Sequence, residues 1–467
     1  MTHPSAPASS FDTLPLSSAA RDNLRRLGYL EMTAIQAASL PAALQGRDVI
    51  AQAKTGSGKT AAFALALLAK LDARRFAVQA LVLCPTRELA DQVTTEIRRL
   101  ARAEDNVKVV TLAGGVPLRG QTVSLERGAH VVVGTPGRVI DHLERGHLSL
   151  DALMTLVLDE ADRMLDMGFV DDIAKVARQC PAQRQTLLFS ATYPEGIAKL
   201  AAQFLCNPVT VKVEAQHGSE QIEQRWYEVR ADQRLPAVAS LLEHFRPAST
   251  LAFCNTKTRC RTLAELLQAQ GYSALALHGD LEQRERDQVL VRFANGSCSV
   301  LVATDVAARG LDVAGLAAVM NVEISSDPEA HVHRIGRTGR AGQTGLALSL
   351  ATLDEMGAVG RIEQLQGRPS VWHALTELTP ASGGRLLPAM ATVHIQAGRK
   401  EKIRPGDVLG ALTADLGYTR EQGGKIDINE FATYVAVERG IAHEAVARLN
   451  SGRIKGRTVK ARLLTDA

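Results

Sequence analysis

The sequence predicts an α/β protein with two parallel-sheet domains in tandem and a smaller α+β domain at the end of the chain. Two observations carry this prediction. Short apolar runs alternate with helix-period segments in two successive series, which is typical of parallel sheets covered by helices on both faces. After the second series, the last segment reads as strands and helices in the order βαββαβ. The length of 467 residues also suits about three domains.

Polar, glycine-rich and proline-rich segments mark the predicted domain boundaries. We expect residues 1–10 to be disordered, because they are small and polar. The polar segment 214–224 and the segment 373–390, which contains Pro380 and Gly383, are predicted linkers. The predicted domains are therefore residues 11–213, 225–372 and 391–467.

Short apolar runs supply the strands of the two sheets. In the first domain they are Asp48–Ala53, Ala80–Cys84, Val131–Val133, Leu156–Leu158 and Thr186–Phe189. In the second domain they are Thr250–Phe253, Ala274–Leu277, Val300–Ala303, Ala318–Val322 and Leu346–Leu350. Such runs predict strands that are buried on both faces.

The composition limits the possible classes of function. The chain is 46% hydrophobic and 22% charged, which is the balance of a folded globular protein. The most apolar stretch, Ala61–Leu71, contains Lys70 and falls short of the roughly 18 apolar residues that a membrane span needs. The six cysteines form no C-x-x-C pair, and residues 1–10 lack the pattern of a secretory signal. We therefore expect a cytoplasmic protein with no membrane segment and no structural metal.

The basic charge lies at the end of the chain. From Ala381 onward there are 14 Lys and Arg residues against 9 Asp and Glu residues, whereas the rest holds 40 against 41. A nearly neutral body with a basic tail indicates that the tail binds a polyanion, although a solvated basic surface would look the same.

A glycine-rich segment follows the first predicted strand and precedes a predicted helix, Lys59–Lys70. Glycines at this position let backbone N–H groups face a polyphosphate, and the helix N-terminus adds positive potential. Lys59 can reach the β and γ phosphates, and the Thr60 hydroxyl can reach Mg²⁺. The predicted phosphate site comprises Ala53, Lys54, Thr55, Gly56, Ser57, Gly58, Lys59 and Thr60, with Ala53 where the general motif has its first glycine.

Two adjacent carboxylates follow the strand at 155–158 and suit the second half of such a site. Asp159 is predicted to hold Mg²⁺, partly through water, and Glu160 to orient and polarise the attacking water. An acidic run at a strand end is more often the charged start of a helix. The phosphate loop about 100 residues upstream favours the catalytic interpretation.

Asp159, Glu160, Ala161 and Asp162 spell the tetrapeptide of the DEAD-box RNA helicases, and residues 11–370 resemble that family motif by motif. The resemblance implies two RecA-like domains, ATP and Mg²⁺ as cofactors, and RNA as partner. It further implies that Phe11 and Gln36 contact adenine and that Asp305 contacts ribose. Arg337 and Arg340 would be arginine fingers that stabilise the γ-phosphate.

The same resemblance assigns RNA-binding and coupling residues. Those implied to bind the RNA backbone are Pro85, Thr86, Arg87, Gly115, Thr135, Pro136, Gly137, Arg138, Gln283, Arg286 and Thr304. Those implied to link hydrolysis to strand separation are Asp162, Ser190, Thr192 and His333. His331 stands where the family more often has tyrosine, and the spacing of His331 and His333 alone does not predict a metal site.

The tail order βαββαβ, in which Phe431–Val437 is predicted as a strand, is that of an RNA-recognition fold, but few aromatic side chains remain on its sheet. Only His394 and Tyr434 stand at base-stacking positions. Loop cations are better candidates for contacting a folded RNA. They are Arg399, Lys400, Lys402, Arg404, Lys455 and Arg457.

The segments 404–412 and 454–457 resemble the C-terminal domain of the bacterial DbpA helicases. This resemblance implies large-subunit ribosomal RNA and pre-ribosomal particles as partners, while a generic RNA anchor remains the alternative. The predicted activity is an RNA-stimulated ATPase that opens short RNA duplexes locally. An ATP-gated RNA clamp that does not unwind would use the same residues, and Asp162 and the tail fold disfavour a DNA helicase.

Overall fold

The computed structural model describes residues 10–53, 56–103, 106–213, 222–308, 315–339, 344–380 and 387–464. The chain divides into two compact units. The first unit contains one sheet, and the second unit contains two sheets.

The first sheet has seven strands, all parallel, in the order β3-β4-β2-β5-β6-β1-β7. The strands are β1 Val49–Gln52, β2 Ala80–Leu83, β3 Val109–Leu112, β4 Val131–Gly134, β5 Thr155–Asp159, β6 Gln185–Ser190 and β7 Val209–Lys212. Successive strand residues point to opposite faces. Leu156 and Leu158 pack with Met164 on one face, while Val157 packs with Phe63 on the other.

Helices cover both faces of this sheet. They are α1 Ser18–Arg26, α2 Ala34–Leu44, α3 Lys59–Leu68, α4 Arg87–Leu100, α5 Leu118–Glu126, α6 Pro136–Glu144, α7 Ala161–Asp166, α8 Val170–Arg178 and α9 Glu195–Phe204. Burial on both faces explains why the strands read as continuous apolar runs rather than as alternating patterns.

The second sheet also has seven parallel strands, in the order β10-β11-β9-β12-β13-β8-β14. The strands are β8 Ile222–Glu228, β9 Thr250–Phe253, β10 Ala274–Leu277, β11 Val300–Ala303, β12 Ala318–Asn321, β13 Gly345–Ala351 and β14 Trp372–His373. The helices are α10 Arg234–Phe245, α11 Lys257–Ala269, α12 Gln283–Ala294, α13 Asp305–Ala308, α14 Pro328–Ile335 and α15 Met356–Gln366. Strand β8 begins inside the segment predicted as a linker.

The third sheet has four antiparallel strands in the order β16-β17-β15-β18. Its elements are β15 Met390–Ile395, α16 Pro405–Gly410, β16 Gly423–Ile428, β17 Thr433–Glu438, α17 Ala442–Ser451 and β18 Ala461–Leu464. A π-helical turn, Ala411–Asp415, continues α16. The predicted fold class, two parallel-sheet domains and a small βαββαβ domain, is confirmed.

Candidate functional site

The predicted site residues of the first unit lie at the carboxyl edge of its sheet. The segments predicted to bind nucleotide follow β1 and β5, and the coupling segment follows β6. The segments predicted to bind RNA follow β2, β3 and β4. Because the order is β3-β4-β2-β5-β6-β1, the two groups occupy neighbouring halves of one edge. Such an edge is where open α/β sheets bind their ligands.

The phosphate loop turns into α3 at a glycine in the left-handed region. Gly58 has φ of 92° and precedes Lys59, the first residue of the helix. The buried Lys59 ammonium donates a hydrogen bond to the Ala53 carbonyl at 2.8 Å, which spans the loop. Lys54 and Thr55 lie outside the described residues.

Gln36, predicted to contact adenine, also supports this loop. Its side-chain amide donates to the Gly58 carbonyl at 3.1 Å and accepts from the Thr33 N–H at 2.9 Å. A Cβ atom at Gly58 would lie 2.5 Å from the Gln36 Nε2 atom, and the φ of 92° is strained for any other residue, so this position favours glycine. Phe11 is buried edge-on against Tyr29, with ring centroids 6.4 Å apart.

The residues of this loop fit a polyphosphate. The buried Ser57 hydroxyl has no hydrogen-bond partner among the described residues, which is expected of a group that binds a ligand. Gly56 has φ of 81°, which turns backbone N–H groups into the loop. Thr60 stands in the first turn of α3, where its hydroxyl could join a phosphate-bound cation.

Asp159 ends β5, Glu160 follows it, and both residues are buried. Burial raises the pKa of Asp159 to about 7, the Lys59 ammonium opposes this rise, and the neighbouring Glu160 adds to it. The Glu160 N–H donates to the Asp159 carboxylate at 3.0 Å. Glu160 itself has φ of 52°, a left-handed conformation that costs a non-glycine residue about 1–2 kcal/mol.

Asp162 joins the acidic tetrapeptide to the end of β6. One of its carboxylate oxygens accepts from the Ala191 N–H at 3.1 Å, the Thr192 N–H at 2.9 Å and the Thr192 hydroxyl at 3.0 Å. The Asp162 N–H donates to the Ser190 hydroxyl at 3.2 Å. These bonds bring together three of the residues predicted to couple hydrolysis to strand separation.

The predicted RNA-binding residues of the first unit stand at helix starts and turns. Thr86 caps α4 by accepting from the Leu89 N–H at 3.2 Å, and Pro136 opens α6 after Thr135. Arg138 donates to the Val116 carbonyl at 3.1 Å. The other predicted members, Pro85, Arg87, Gly115 and Gly137, lie in the same segments.

Glycine positions in these segments leave room for a ligand. A Cβ atom added at Gly114 or Gly137 would meet no atom within 4 Å, so packing alone does not require glycine there. Gly115 adopts φ of 76°, which does favour glycine. Helix starts with open surface beside them suit the phosphates of a nucleic acid.

In the second unit, Arg334 organises the end of the sheet, and the sequence did not single it out. Its guanidinium forms two bonds to the Asp305 carboxylate, at 2.8 and 2.6 Å, and one to the Asn255 side chain at 2.9 Å. It also lies over the Phe253 ring, 5.1 Å from the centroid. Asp305, predicted to contact ribose, is therefore held by a buried arginine.

The remaining predicted residues of the second unit follow other strands of the same sheet. Thr304 directly follows β11, and its hydroxyl accepts from the Ala307 N–H at 3.4 Å. Arg286, in the first turns of α12, donates to the Ala307 carbonyl at 3.3 Å. Gln283 begins α12, His333 lies in α14 and Arg337 follows α14. Arg340 lies outside the described residues.

His331 takes part in packing. Its buried ring stacks on Trp226 at a centroid distance of 5.1 Å and an angle of 21°. Burial, with the Arg334 charge as the lesser cause, lowers the pKa of His331 to about 3. The His331 ring therefore occupies the position at which the DEAD-box family more often has tyrosine.

The fold gathers basic residues of the third domain that are distant in sequence. The Lys455 ammonium donates to the Lys402 carbonyl at 2.7 Å and reaches the Asp407 carboxylate at 3.4 Å. Lys455 and Gly456 have φ of 52° and 76°, the geometry of a tight hairpin turn between Ile454 and Arg457. The two basic segments thus form one surface, which we call the basic loops: residues 399–404 and 453–457.

Phe431 joins this surface, although the sequence predicted it inside a strand. The strand begins two residues later, at Thr433, and the Phe431 ring is 59% exposed. The Lys400 ammonium lies 4.0 Å from the ring centroid. The turn at Arg399 and Lys400 is tied to this loop by N–H bonds to the carbonyls of residues 429 and 430, at 2.9 and 3.0 Å.

The described residues form neither a membrane-crossing helix nor a cluster of metal ligands. None of the helices in this part of the chain has the length and apolar character that a membrane crossing requires. These residues also form no group of three His, Cys, Asp or Glu side chains that could hold a metal ion.

Three known families match successive parts of the chain. The DEAD/DEAH box helicase family matches residues 33–200, and the helicase conserved C-terminal domain matches residues 233–342. The DbpA RNA binding domain matches residues 392–463. These matches follow the order of the three sheets.

Curated proteins and solved structures agree with these matches. The chain is 53% identical over 456 residues to the ATP-dependent RNA helicase DbpA of Escherichia coli (strain K12), covering 97% of this chain and 99% of that protein. It is 46% identical over 360 residues to the DEAD-box ATP-dependent RNA helicase CshA of Geobacillus kaustophilus, covering 77% of each. The S. cerevisiae Dbp5 structure bound to RNA and ADP BeF3 matches with a TM-score of 0.72 and 30% identity, over 79% of this chain and 96% of that one.

These relatives, together with a phosphate loop and an acidic tetrapeptide on one sheet edge, establish the class of enzyme. It uses ATP and acts on RNA. The chain belongs to the DEAD-box family of ATP-dependent RNA helicases and carries an RNA-binding domain of the DbpA type.

Proposed function

We propose that this helicase separates short RNA duplexes on large-subunit ribosomal RNA and pre-ribosomal particles during ribosome assembly in the cytoplasm. The observation that carries the proposal is that one chain combines two features. Its first sheet has an edge where the nucleotide and RNA segments are neighbours, and its last domain is of the DbpA type and carries the basic loops. The first binds any RNA backbone, and the second recognises a folded RNA.

We assign the chemistry of ATP hydrolysis to the buried end of β5 and the phosphate loop. Thr60 and Asp159 would hold Mg²⁺, partly through water, and this ion would neutralise phosphate charge. Lys59 would contact the β and γ phosphates. Glu160, whose backbone is left-handed, would orient the attacking water.

Other residues of the proposal bind the rest of the nucleotide. Phe11 and Gln36 would contact adenine, and Asp305 would contact ribose while Arg334 holds it in place. Arg337 and Arg340 would stabilise the charge that develops on the γ-phosphate. The Gln36 bond to Gly58 would then make the phosphate loop respond to the base that is bound.

RNA binding and coupling follow from the neighbouring half of the sheet edge. Helix starts at Thr86 and Thr135 on this edge, and Thr304 after β11 of the second sheet, would bind phosphates without reading sequence. Asp162, Ser190, Thr192 and His333 would transmit the state of the nucleotide to these segments. The bonds of Asp162 to both Ser190 and Thr192 support this role.

Strand displacement measured beside ATP turnover tests the proposal. The substrate is a short duplex joined to a large-subunit ribosomal RNA fragment, and the control is the same duplex joined to an unrelated transcript of equal length. We expect faster displacement on the ribosomal substrate. Equal rates would refute the ribosomal assignment, and ATP turnover with no displaced strand would favour an RNA clamp.

A further inference from the structure

One face of the third sheet is covered by the second helicase domain. Along β15, Val393 and Ile395 point into the core of the third domain. Thr392 and His394, which alternate with them, point to the other face, and Tyr434 on β17 pairs with His394 across the strands. This second face is where an RNA-recognition fold usually stacks bases.

Polar side chains join the two domains across this face. The Asn295 amide donates to the Thr392 hydroxyl at 2.9 Å, and the Ser297 and Thr392 hydroxyls are 2.8 Å apart. Thr392 is 0% exposed. Removing one partner of such a buried hydrogen bond leaves the other polar group unsatisfied, which is destabilising.

Side chains of helix α12 extend this contact between the second helicase domain and the third sheet. Burial raises the pKa of Tyr434, and a hydrogen bond from the Gln288 side chain opposes this rise. His394 and Tyr434 are only 2% and 3% exposed, and their rings lie 5.1 Å apart. Arg284, one turn before Gln288, lies close enough for its charge to act on His394. A base could not stack on these two rings while the helix is in place.

The same helix carries two predicted RNA-binding residues. Gln283 begins α12, and Arg286 connects it to the segment after β11 through the Ala307 carbonyl at 3.3 Å. Arg284 and Gln288 stand four residues apart and so share one helix face, toward the third sheet. One short helix therefore links the sheet of the tail to the RNA-binding end of the second domain.

We propose that the third sheet is a docking surface for helix α12 rather than a platform for bases, and that docking fixes the distance along RNA between the tail's binding site and the duplex that is opened. This inference rests on the proposed function, because it needs an RNA that both parts bind.

The alternative is a tail that moves freely on its linker. A flexible chain of the length predicted for residues 373–390 has a root-mean-square end-to-end distance of about 23 Å. Such a tether would let the helicase open duplexes at many distances from the bound RNA. A docked tail allows a narrow range of distances.

A set of RNAs with variable spacing distinguishes the two cases. Each RNA carries the same large-subunit ribosomal fragment and the same short duplex, separated by single-stranded spacers of increasing length. We expect the wild-type chain to displace the strand at one narrow range of spacers. Thr392→Arg places a charge in the docked face and should flatten this profile, with about a tenfold loss at the best spacer.

Matched variants separate docking from folding. Ala414→Arg adds the same charge at an exposed helical position of the tail and should keep the narrow profile. Asn295→Asp added to Thr392→Arg gives the arginine a carboxylate partner. This double variant should partly restore the narrow dependence of strand displacement on spacer length. A flat wild-type profile, or an unchanged profile in Thr392→Arg, would overturn the proposal.

A disulfide measures docking without strand displacement. In Ser297→Cys/Thr392→Cys, two thiols replace hydroxyls that are 2.8 Å apart, so oxidation should crosslink most of the protein. Thr392→Cys alone is the control. Absence of the crosslink would overturn docking. A crosslink without any strand displacement by the wild-type chain would instead overturn the proposed function.

Discussion

The phosphate loop and the end of β5 in the first sheet hold buried charged side chains, whereas the basic loops of the third domain hold exposed ones. At the first, Lys59, Asp159 and Glu160 are buried and held by short bonds. At the second, the cations are exposed, and Lys400 and Lys455 bond only to nearby side chains and carbonyls. Buried charges act strongly and in fixed geometry, whereas exposed charges act weakly, additively and in a salt-dependent way.

Glu160→Gln should give the largest effect. The amide cannot polarise water, so RNA-stimulated ATP turnover should fall at least about 100-fold. ATP turnover at saturating RNA is the measurement, and Glu144→Gln, at an exposed helix end, is the matched control. Near-normal turnover would mean that Glu160 is not part of the catalytic site. The contrast between buried and exposed charges would then no longer hold.

Asp162→Asn should give the next largest effect and should change the coupling. The amide loses charge at an oxygen that accepts three hydrogen bonds from Ala191 and Thr192. Strands displaced per ATP hydrolysed should fall about tenfold, since each such bond is worth about 1.5–3 kcal/mol. Asp166→Asn, exposed on the same helix, is the control. An unchanged ratio of displacement to turnover would contradict the coupling role.

Lys400→Glu combined with Lys455→Glu should weaken binding to the ribosomal fragment without lowering turnover at saturating RNA. If each lysine contacts one phosphate, the slope of log affinity against log salt should become shallower by about 2. Binding titrations at several salt concentrations measure this. Lys425→Glu, on strand β16, makes half of this charge change away from the basic loops. A control effect half as large as that of the double variant would mean that overall charge, and not the basic loops, binds the RNA.

His331→Tyr should give the smallest effect, on acid stability alone. Burial lowers the pKa of His331 to about 3, so the folded state favours the neutral ring. Its contribution to stability is full above the unfolded pKa near 6.5 and is lost as pH falls toward 3. At pH 5 the free energy of unfolding of the wild type should be lower by up to about 2 kcal/mol because of His331, and the tyrosine variant should not show this loss. Thermal unfolding at pH 5 and pH 8 checks this, and equal pH dependence would contradict it.

The sequence predicted the parts of the site that are continuous in the chain. A strand, a glycine-rich turn and a helix start placed Lys59 and Thr60, and an apolar run placed Asp159 at a strand end. Parallel strands bring their carboxyl ends to one edge, which is why motifs read one by one lie together. The roles of Arg337 and Arg340 remain predictions.

Contacts between distant segments could not be predicted. Arg334 meets Asn255 across 79 positions, and Thr392 meets Asn295 across 97. Both depend on how side chains pack in three dimensions. The exposure of Phe431 was missed for a local reason: an aromatic residue shortly before Thr433 and Val435 resembles a strand start, but the Asn429 N–H donates to the Ala432 carbonyl at 2.8 Å and the strand begins at Thr433.

The rate of ATP hydrolysis by the full chain, measured without nucleic acid, with an unrelated RNA and with an equal amount of large-subunit ribosomal RNA, tests the central claim most directly. We predict slow turnover alone, faster turnover with any RNA and the fastest turnover with ribosomal RNA. Turnover that is equally fast with no nucleic acid would contradict the claim that the two halves of the sheet edge work together.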